Sequence, residues 1–123
     1  MDSILTTIKK MLGVTEEYEH FDQDIIIHIN SVFSILKQLG VGPDKGYSIS
    51  NKLNTWNEFI SEDDNTFADV KTYIYLKVRL MFDPPSNSSL IESINKQIAE
   101  LEWRMNVVYE NNRKEGEEES GDV

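Results

Sequence analysis

The sequence predicts an all-α protein, a small bundle of four main helices with one additional short helix, and three observations indicate this fold. Apolar residues recur at three- and four-residue spacing in four separate segments, as they do in helices that bury one face. Glycine, proline and capping-box pairs stand between these segments, where helices begin and end. The chain has 123 residues, which suits one domain and suffices to bury a core.

The first two helices are predicted in the amino-terminal third of the chain. One covers about Ser3–Leu12, with the serine as N-cap and Gly13 as terminator. The next covers about Asp22–Leu39, with the aspartate as N-cap and Gly40 after its end. The stretch LGVGPDKGYSISN then predicts a loop, because it holds three glycines and a proline. A single β-hairpin there is the weaker alternative.

The middle of the chain predicts a short helix followed by a strongly apolar one. Thr55 and Glu58 have the spacing of a capping box and begin one or two helical turns. The segment Thr66–Phe82 carries a main apolar stripe and further apolar residues, Tyr75 and Leu76 among them, around nearly its whole circumference. The stripe consists of Phe67, Val70, Ile74, Val78 and Met81. Such a helix belongs in the centre of a bundle or in a subunit interface, so Tyr75 and Leu76 are candidate interface residues.

The last helix is predicted over about Leu90–Glu110, after the helix-ending sequence Asp83-Pro84-Pro85. Ser89 and Glu92 form a second capping-box pair at its start. Its apolar seam consists of Ile91, Ile94, Ile98, Leu101, Met105 and Val108. Residues 111–123 contain almost nothing to bury, so the sequence predicts a helical domain over residues 1–110 and an acidic disordered tail over residues 111–123.

Trp103 and Val107 stand apart from the seam of the last helix. At about 100° per residue they fall on the opposite side, one turn apart. A helix that buried only its seam would leave this tryptophan in water, and tryptophan is enriched at the energetic centres of interfaces. The two residues are therefore predicted to meet a neighbouring subunit or another protein. The alternative is that the first helix covers them within the same chain.

The composition argues against several functional classes. With 22 acidic and 12 basic residues the net charge is −10, which disfavours binding to nucleic-acid phosphates. The chain has no cysteine, and its two histidines, His20 and His28, do not have metal-site spacing. The acidic group Glu58, Glu62, Asp63 and Asp64 is interpreted as a solvated turn, with a divalent-cation site as the alternative. We therefore predict no catalytic, cofactor or metal site, and no apolar run approaches the roughly 20 residues that cross a membrane.

Four stretches in this order resemble the head–tail connector (adaptor) proteins of tailed bacteriophages. They are ILTTIKKMLGV, FDQDIIIHINSVFSILKQLGVGP, TYIYLKVRLMFDPP and IAELEWRMNV, which together span about residues 4 to 109. The resemblance implies an α-helical subunit that forms a homo-oligomeric ring, dodecameric when assembled, under the portal protein at the head–tail junction of the virion. It also implies that the ring extends the DNA channel without binding DNA specifically, and that it docks the next head-completion or tail protein.

Two other functional classes compete with this interpretation. A small acidic helical regulator would bind a host or phage protein as a monomer and form no ring. A helical nucleotide-processing enzyme would need paired carboxylates on two facing helices, and only Glu16 and Glu19 have a suitable spacing. The acidic charge itself has two interpretations, since it can repel DNA in a channel or keep the monomer soluble before assembly.

Overall fold

The computed structural model describes residues 2–121, with side chains described for all of these except Tyr109 and residues 111–121. It contains five helices: α1 (Ile4–Leu12), α2 (Asp22–Gln38), α3 (Trp56–Phe59), α4 (Phe67–Phe82) and α5 (Ser88–Gly121). Within residues 2–121 there is no strand, and one isolated antiparallel bridge joins Ser3 to Thr55. The predicted all-helical fold class, with four main helices and one short one, is confirmed.

The connection between α2 and α3 is a loop rather than a β-hairpin. The Asn30 side chain holds it against α2, because its Oδ1 accepts from the Ile49 amide at 2.8 Å and its Nδ2 donates to the Ile49 carbonyl at 2.9 Å. These two bonds satisfy both backbone groups of Ile49, whose side chain is buried. The loop therefore forms part of the core without any strand pairing.

Two of the predicted helix starts are wrong in detail. Phe21 occupies the N-cap position of α2 with no side-chain cap bond, and Asp22 lies inside the helix. At α5, the Asn87 side chain accepts from the backbone amides of Ser89 and Leu90 at 2.8 and 3.3 Å, so Asn87 rather than Ser89 caps the helix. Asparagine is at least as effective a cap as serine, and here it lies one position before the helix begins.

A buried lysine determines the path of the segment between α1 and α2. Lys9 is 2% exposed, and its Nζ donates to the carbonyls of Glu16 and Tyr18 at 3.0 and 2.8 Å. The same Nζ lies 2.8 Å from Oδ1 of Asp22, which has no other partner among the described residues. Asp22 therefore compensates a buried charge instead of capping a helix. This cluster of three contacts ties the irregular segment 14–21 to both helices.

Helix α4 lies at the centre of the bundle and packs against α1, α2 and α5. Its buried residues are Val70, Tyr73, Ile74, Leu76 and Val78. Tyr73 and Leu76 lie outside the stripe predicted for this helix, while Met81 from that stripe is 42% exposed. The burial of residues on several sides confirms the central position that the apolar circumference of α4 predicts.

Helix α5 packs on α4 through the predicted seam. Ile94, Ile98, Leu101 and Met105 are buried, whereas Val108 is 39% exposed. The helical backbone continues to Gly121, beyond the end predicted at Glu110. The predicted acidic tail begins at residue 111, where side chains lie outside those that the structure describes, so the division into a domain and a disordered tail stays a prediction.

A hydrogen bond between described residues joins α4 to α5. The hydroxyl of the buried Tyr73 donates to Oε1 of Glu102 at 3.0 Å. Burial, and then this bond to a carboxylate, raise the pKa of Tyr73, because both disfavour the phenolate. The bond stabilises the pairing of the two helices around neutral pH.

We expect Tyr73→Phe to lower the free energy of unfolding by about 0.5–1.5 kcal/mol, the usual net value of one hydrogen bond. Glu102 is partly exposed and can bond water instead, so its charge is not left uncompensated. Urea denaturation followed by circular dichroism would measure the change. Tyr75→Phe on the same helix is the matched control, and an equal effect of both substitutions would contradict a specific role for the Tyr73 bond.

Candidate subunit interface

The Trp103 side of α5 is exposed. Trp103 retains 66% of its accessible surface and Val107 retains 37%. No other part of the described chain covers the tryptophan, so the alternative that the first helix buries it is wrong. Its exposure follows from the seam of α5, because Leu101 and Met105 face the core and their helical phase turns Trp103 away from it.

The other two candidate interface residues, Tyr75 and Leu76, lie elsewhere. Leu76 is 5% exposed and packs within the core. Tyr75 is half-buried and accepts a hydrogen bond from Arg79 at 3.2 Å. It lines a small groove with Met11 near the end of α1, and no residue of α5 lines that groove. The structure therefore does not bring Tyr75 and Leu76 together with Trp103, and an interface role for each stays a prediction.

The sequence did not predict a groove of about 370 Å³ between the α2–α3 loop, α3 and α5. Its lining is mixed. Val41, Phe59 and Met105, all buried, and the half-exposed Val108 contribute apolar atoms, while polar atoms come from Ser61, Asp64 and Thr66. Gly42 also lines it, at φ +89°, and a Cβ there would overlap the Phe59 ring. The groove therefore depends on glycine at position 42 for both its backbone conformation and its ring packing.

One side of this groove is acidic. Asp64 lines it, and Glu62 and Asp63 precede it in the same exposed turn. Asp64 Oδ1 accepts from the amide and hydroxyl of Thr66 at 2.8 and 2.6 Å, which fixes the turn before α4. Glu62 and Asp63 are exposed and leave a negative surface beside the groove.

Glu58, the fourth acidic residue of the predicted patch, has a structural role. Its Oε1 accepts from the Thr55 amide at 2.9 Å and from the Tyr47 hydroxyl at 2.9 Å, completing the predicted capping interaction of α3. These bonds, the one to Thr55 first, lower the pKa of Glu58. A lowered folded-state pKa means that this stabilisation is present at neutral pH and is lost as the pH falls through that value. Burial and the bond to Glu58 raise the pKa of Tyr47 to about 12.

The described residues form no candidate metal site. Among them, no three His, Asp or Glu side chains come together as a group that could hold a metal ion. His20 is exposed and packs against the Phe21 ring at a centroid distance of 4.9 Å, and His28 is half-buried on α2. Two of the surfaces that remain for function are the Trp103 side of α5 and the groove beside Phe59 with its acidic edge.

A comparison with protein-family models identifies the family of this chain. The family model described as "Phage connector protein" matches residues 4–112, which include all of α1 to α4 and most of α5. The chain belongs to the phage connector family. The resemblance seen in the sequence is therefore confirmed. Comparisons with curated proteins and with solved structures give no significant match.

Family membership gives this connector protein a structural role in bacteriophages. No helix in the described part of the chain is sufficiently long and apolar to span a bilayer. The position of the tryptophan opposite the seam was predictable from the helical phase of α5, whereas its exposure depends on where α1 packs. The groove was not, because Val41, Phe59 and Met105 lie far apart in sequence and meet only when the loop, α3 and α5 pack together.

Proposed function

We propose that this connector protein is the subunit of a ring at the head–tail junction of a tailed phage or prophage. The ring lies under the portal protein, extends the channel through which DNA passes, and docks the next head-completion or tail protein. The family match over residues 4–112 carries the proposal. The exposed Trp103 supports it, since a large aromatic side chain left in water on a rigid helix is typical of a surface that binds protein.

The charge of the chain suits a channel component. A net charge of −10 per subunit, repeated around a ring, repels a passing polyanion at short range, within about 8 Å at physiological ionic strength. DNA then passes without specific binding. The same charge keeps the subunit soluble in the host cytoplasm before assembly, so the two effects act at successive stages of the same process.

Sedimentation velocity over a range of concentrations, with and without the portal protein, tests the ring. We expect a species much larger than the 14.2 kDa monomer, either at high protein concentration or on addition of portal protein. Negative-stain microscopy of that species should show rings. A chain that stays monomeric at every concentration and also ignores the portal protein would contradict the proposal and favour the monomeric regulator.

A further inference from the structure

A second groove lies between α2 and the loop that connects α2 to α3. It has a volume of about 430 Å³, and its exposed lining is mainly polar. The lining includes Ser34 and Lys37 of α2 and Lys45, Gly46 and Ser48 of the loop. Its charged residues are both lysines, so the groove is locally positive in a chain whose net charge is −10.

The loop backbone at Gly46 places both lysines beside this groove. The Gly46 amide donates to the Pro43 carbonyl at 2.9 Å and closes the turn that carries Lys45. Gly46 has φ +85°, and a Cβ there would lie 3.2 Å from Cδ and 3.8 Å from Nζ of Lys37. The Lys37 side chain therefore lies directly on the loop backbone, at a position whose conformation and close contact both favour glycine.

Neither of these lysines has a counter-ion among the described residues, where each lacks an ion pair and a hydrogen bond. Asp44 precedes Lys45 in the turn but does not line the groove. Glu58 is also outside the lining, and its carboxylate already accepts hydrogen bonds from two other residues. Two like charges beside one groove repel each other, and an anion bound between them reduces that repulsion.

The donors around the groove suit an oxyanion. Two ammonium groups form charge-assisted hydrogen bonds, and the hydroxyls of Ser34 and Ser48 supply further donors. Carboxylates of a protein fit this set better than the phosphates of DNA. Duplex DNA carries a charge about every 1.7 Å along its axis, and its binding needs several Lys and Arg side chains. The groove offers only Lys37 and Lys45, and the acidic chain as a whole repels a polyanion.

We propose that the groove between α2 and the α2–α3 loop binds an acidic segment of a partner protein, with Lys37 and Lys45 pairing with its carboxylates. The inference rests on the proposed function, in which the ring docks another protein, and it states the chemistry of one docking site. Charge pairs of this kind contribute more to specificity and association rate than to affinity. Binding of an isolated acidic peptide is therefore expected to be weak and to decrease as salt is added.

Fluorescence anisotropy of a labelled hexaglutamate peptide at physiological ionic strength tests the site. We expect the natural chain to bind the peptide, and the double variant Lys37→Ala with Lys45→Ala to bind it about tenfold more weakly, the combined effect of two exposed ion pairs. Circular dichroism should show the same helical content in both proteins, because the two lysines are exposed.

The matched control is the double variant Lys10→Ala with Lys96→Ala. It removes the same charge from exposed positions on α1 and α5 and should bind the peptide almost as tightly as the natural chain does. Equal weakening in the two double variants would overturn the inference, because affinity would then follow net charge rather than the groove. Competition with inorganic phosphate and with a DNA duplex identifies the class of anion. If either displaces the labelled peptide more effectively than unlabelled peptide does, the site binds phosphate and the inference is overturned.

Sedimentation of the same proteins separates this inference from the proposed function. Loss of self-association only in the Lys37→Ala, Lys45→Ala variant would identify a second copy as the occupant and overturn the inference. Rings formed by a natural chain that does not bind the peptide would overturn it as well, while the proposed function stands. Peptide binding at the groove of a chain that stays monomeric with portal protein would support the inference and contradict the ring. Neither binding nor assembly would overturn both.

Discussion

Replacement of Trp56 with alanine is expected to lower the free energy of unfolding by about 3–5 kcal/mol, the usual cost of removing a large buried aromatic side chain. Trp56 is 1% exposed. Its Nε1 donates to Thr7 Oγ1 at 3.1 Å, and its ring meets Phe67 edge to face at 5.7 Å. The residue therefore joins α3 to α1 and α4, and its loss leaves a cavity at their junction. Urea denaturation monitored by far-ultraviolet circular dichroism measures the effect.

Trp103→Ala is the matched control, since it removes the other tryptophan of the chain from a site that is 66% exposed. We expect monomer stability to change by no more than about 0.5 kcal/mol, as for most surface substitutions. Self-association or binding to portal protein should weaken. A loss of several kcal/mol on removal of Trp103 would show that the residue is packed within the monomer and would contradict its interface role.

The second large effect is expected at Lys9. Lys9→Met keeps the length of the side chain but removes the charge that faces Asp22 and the donor to the carbonyls of Glu16 and Tyr18. We expect a loss of about 3 kcal/mol, at the lower end of the range for breaking one side of a buried ion pair, because the Asp22 side chain is 20% exposed and water reaches it. Thermal and urea unfolding would both report the loss.

Lys10→Met tests whether the effect is specific to the buried site. Lys10 is exposed on the same helix, and its replacement with methionine changes the net charge of the chain by the same amount as Lys9→Met. We expect its replacement to alter stability by less than about 0.5 kcal/mol. Equal effects of the two substitutions would mean that net charge, rather than the Lys9 cluster, accounts for the destabilisation. The double variant Lys9→Met with Asp22→Asn should recover part of the loss, because it removes the uncompensated carboxylate.

The sequence determined the helices because their signals are local. Each signal acts within a few residues: the apolar spacing, Gly13 and Gly40 after helix ends, the Thr55 and Glu58 capping pair, and the Asp83-Pro84-Pro85 sequence. Helices α1, α2 and α4 lie within one residue of their predicted bounds, whereas α5 begins two residues early and continues eleven residues beyond its predicted end. Two helix starts were predicted less accurately. Near Ser89 the neighbouring Asn87 takes the cap position of α5, and Asp22 forms an ion pair instead of capping α2. Asp22 pairs with Lys9, thirteen residues away, and no helix rule anticipates that pairing.

The direction of Trp103 also followed from the sequence, because one strongly apolar seam on a helix fixes which residues point away from that seam. The sequence left open whether α1 covers the tryptophan, and only the packing of the helices leaves it 66% exposed. Local periodicity could not show that Leu76 would be buried and Met81 exposed on α4, since several sides of that helix are apolar and only the neighbouring helices select among them. For the same reason the buried Lys9 and the groove beside Phe59 were decided by tertiary structure. Both depend on groups from separate segments of the chain. The burial and the contacts that determine their stability exist only after the helices have packed together.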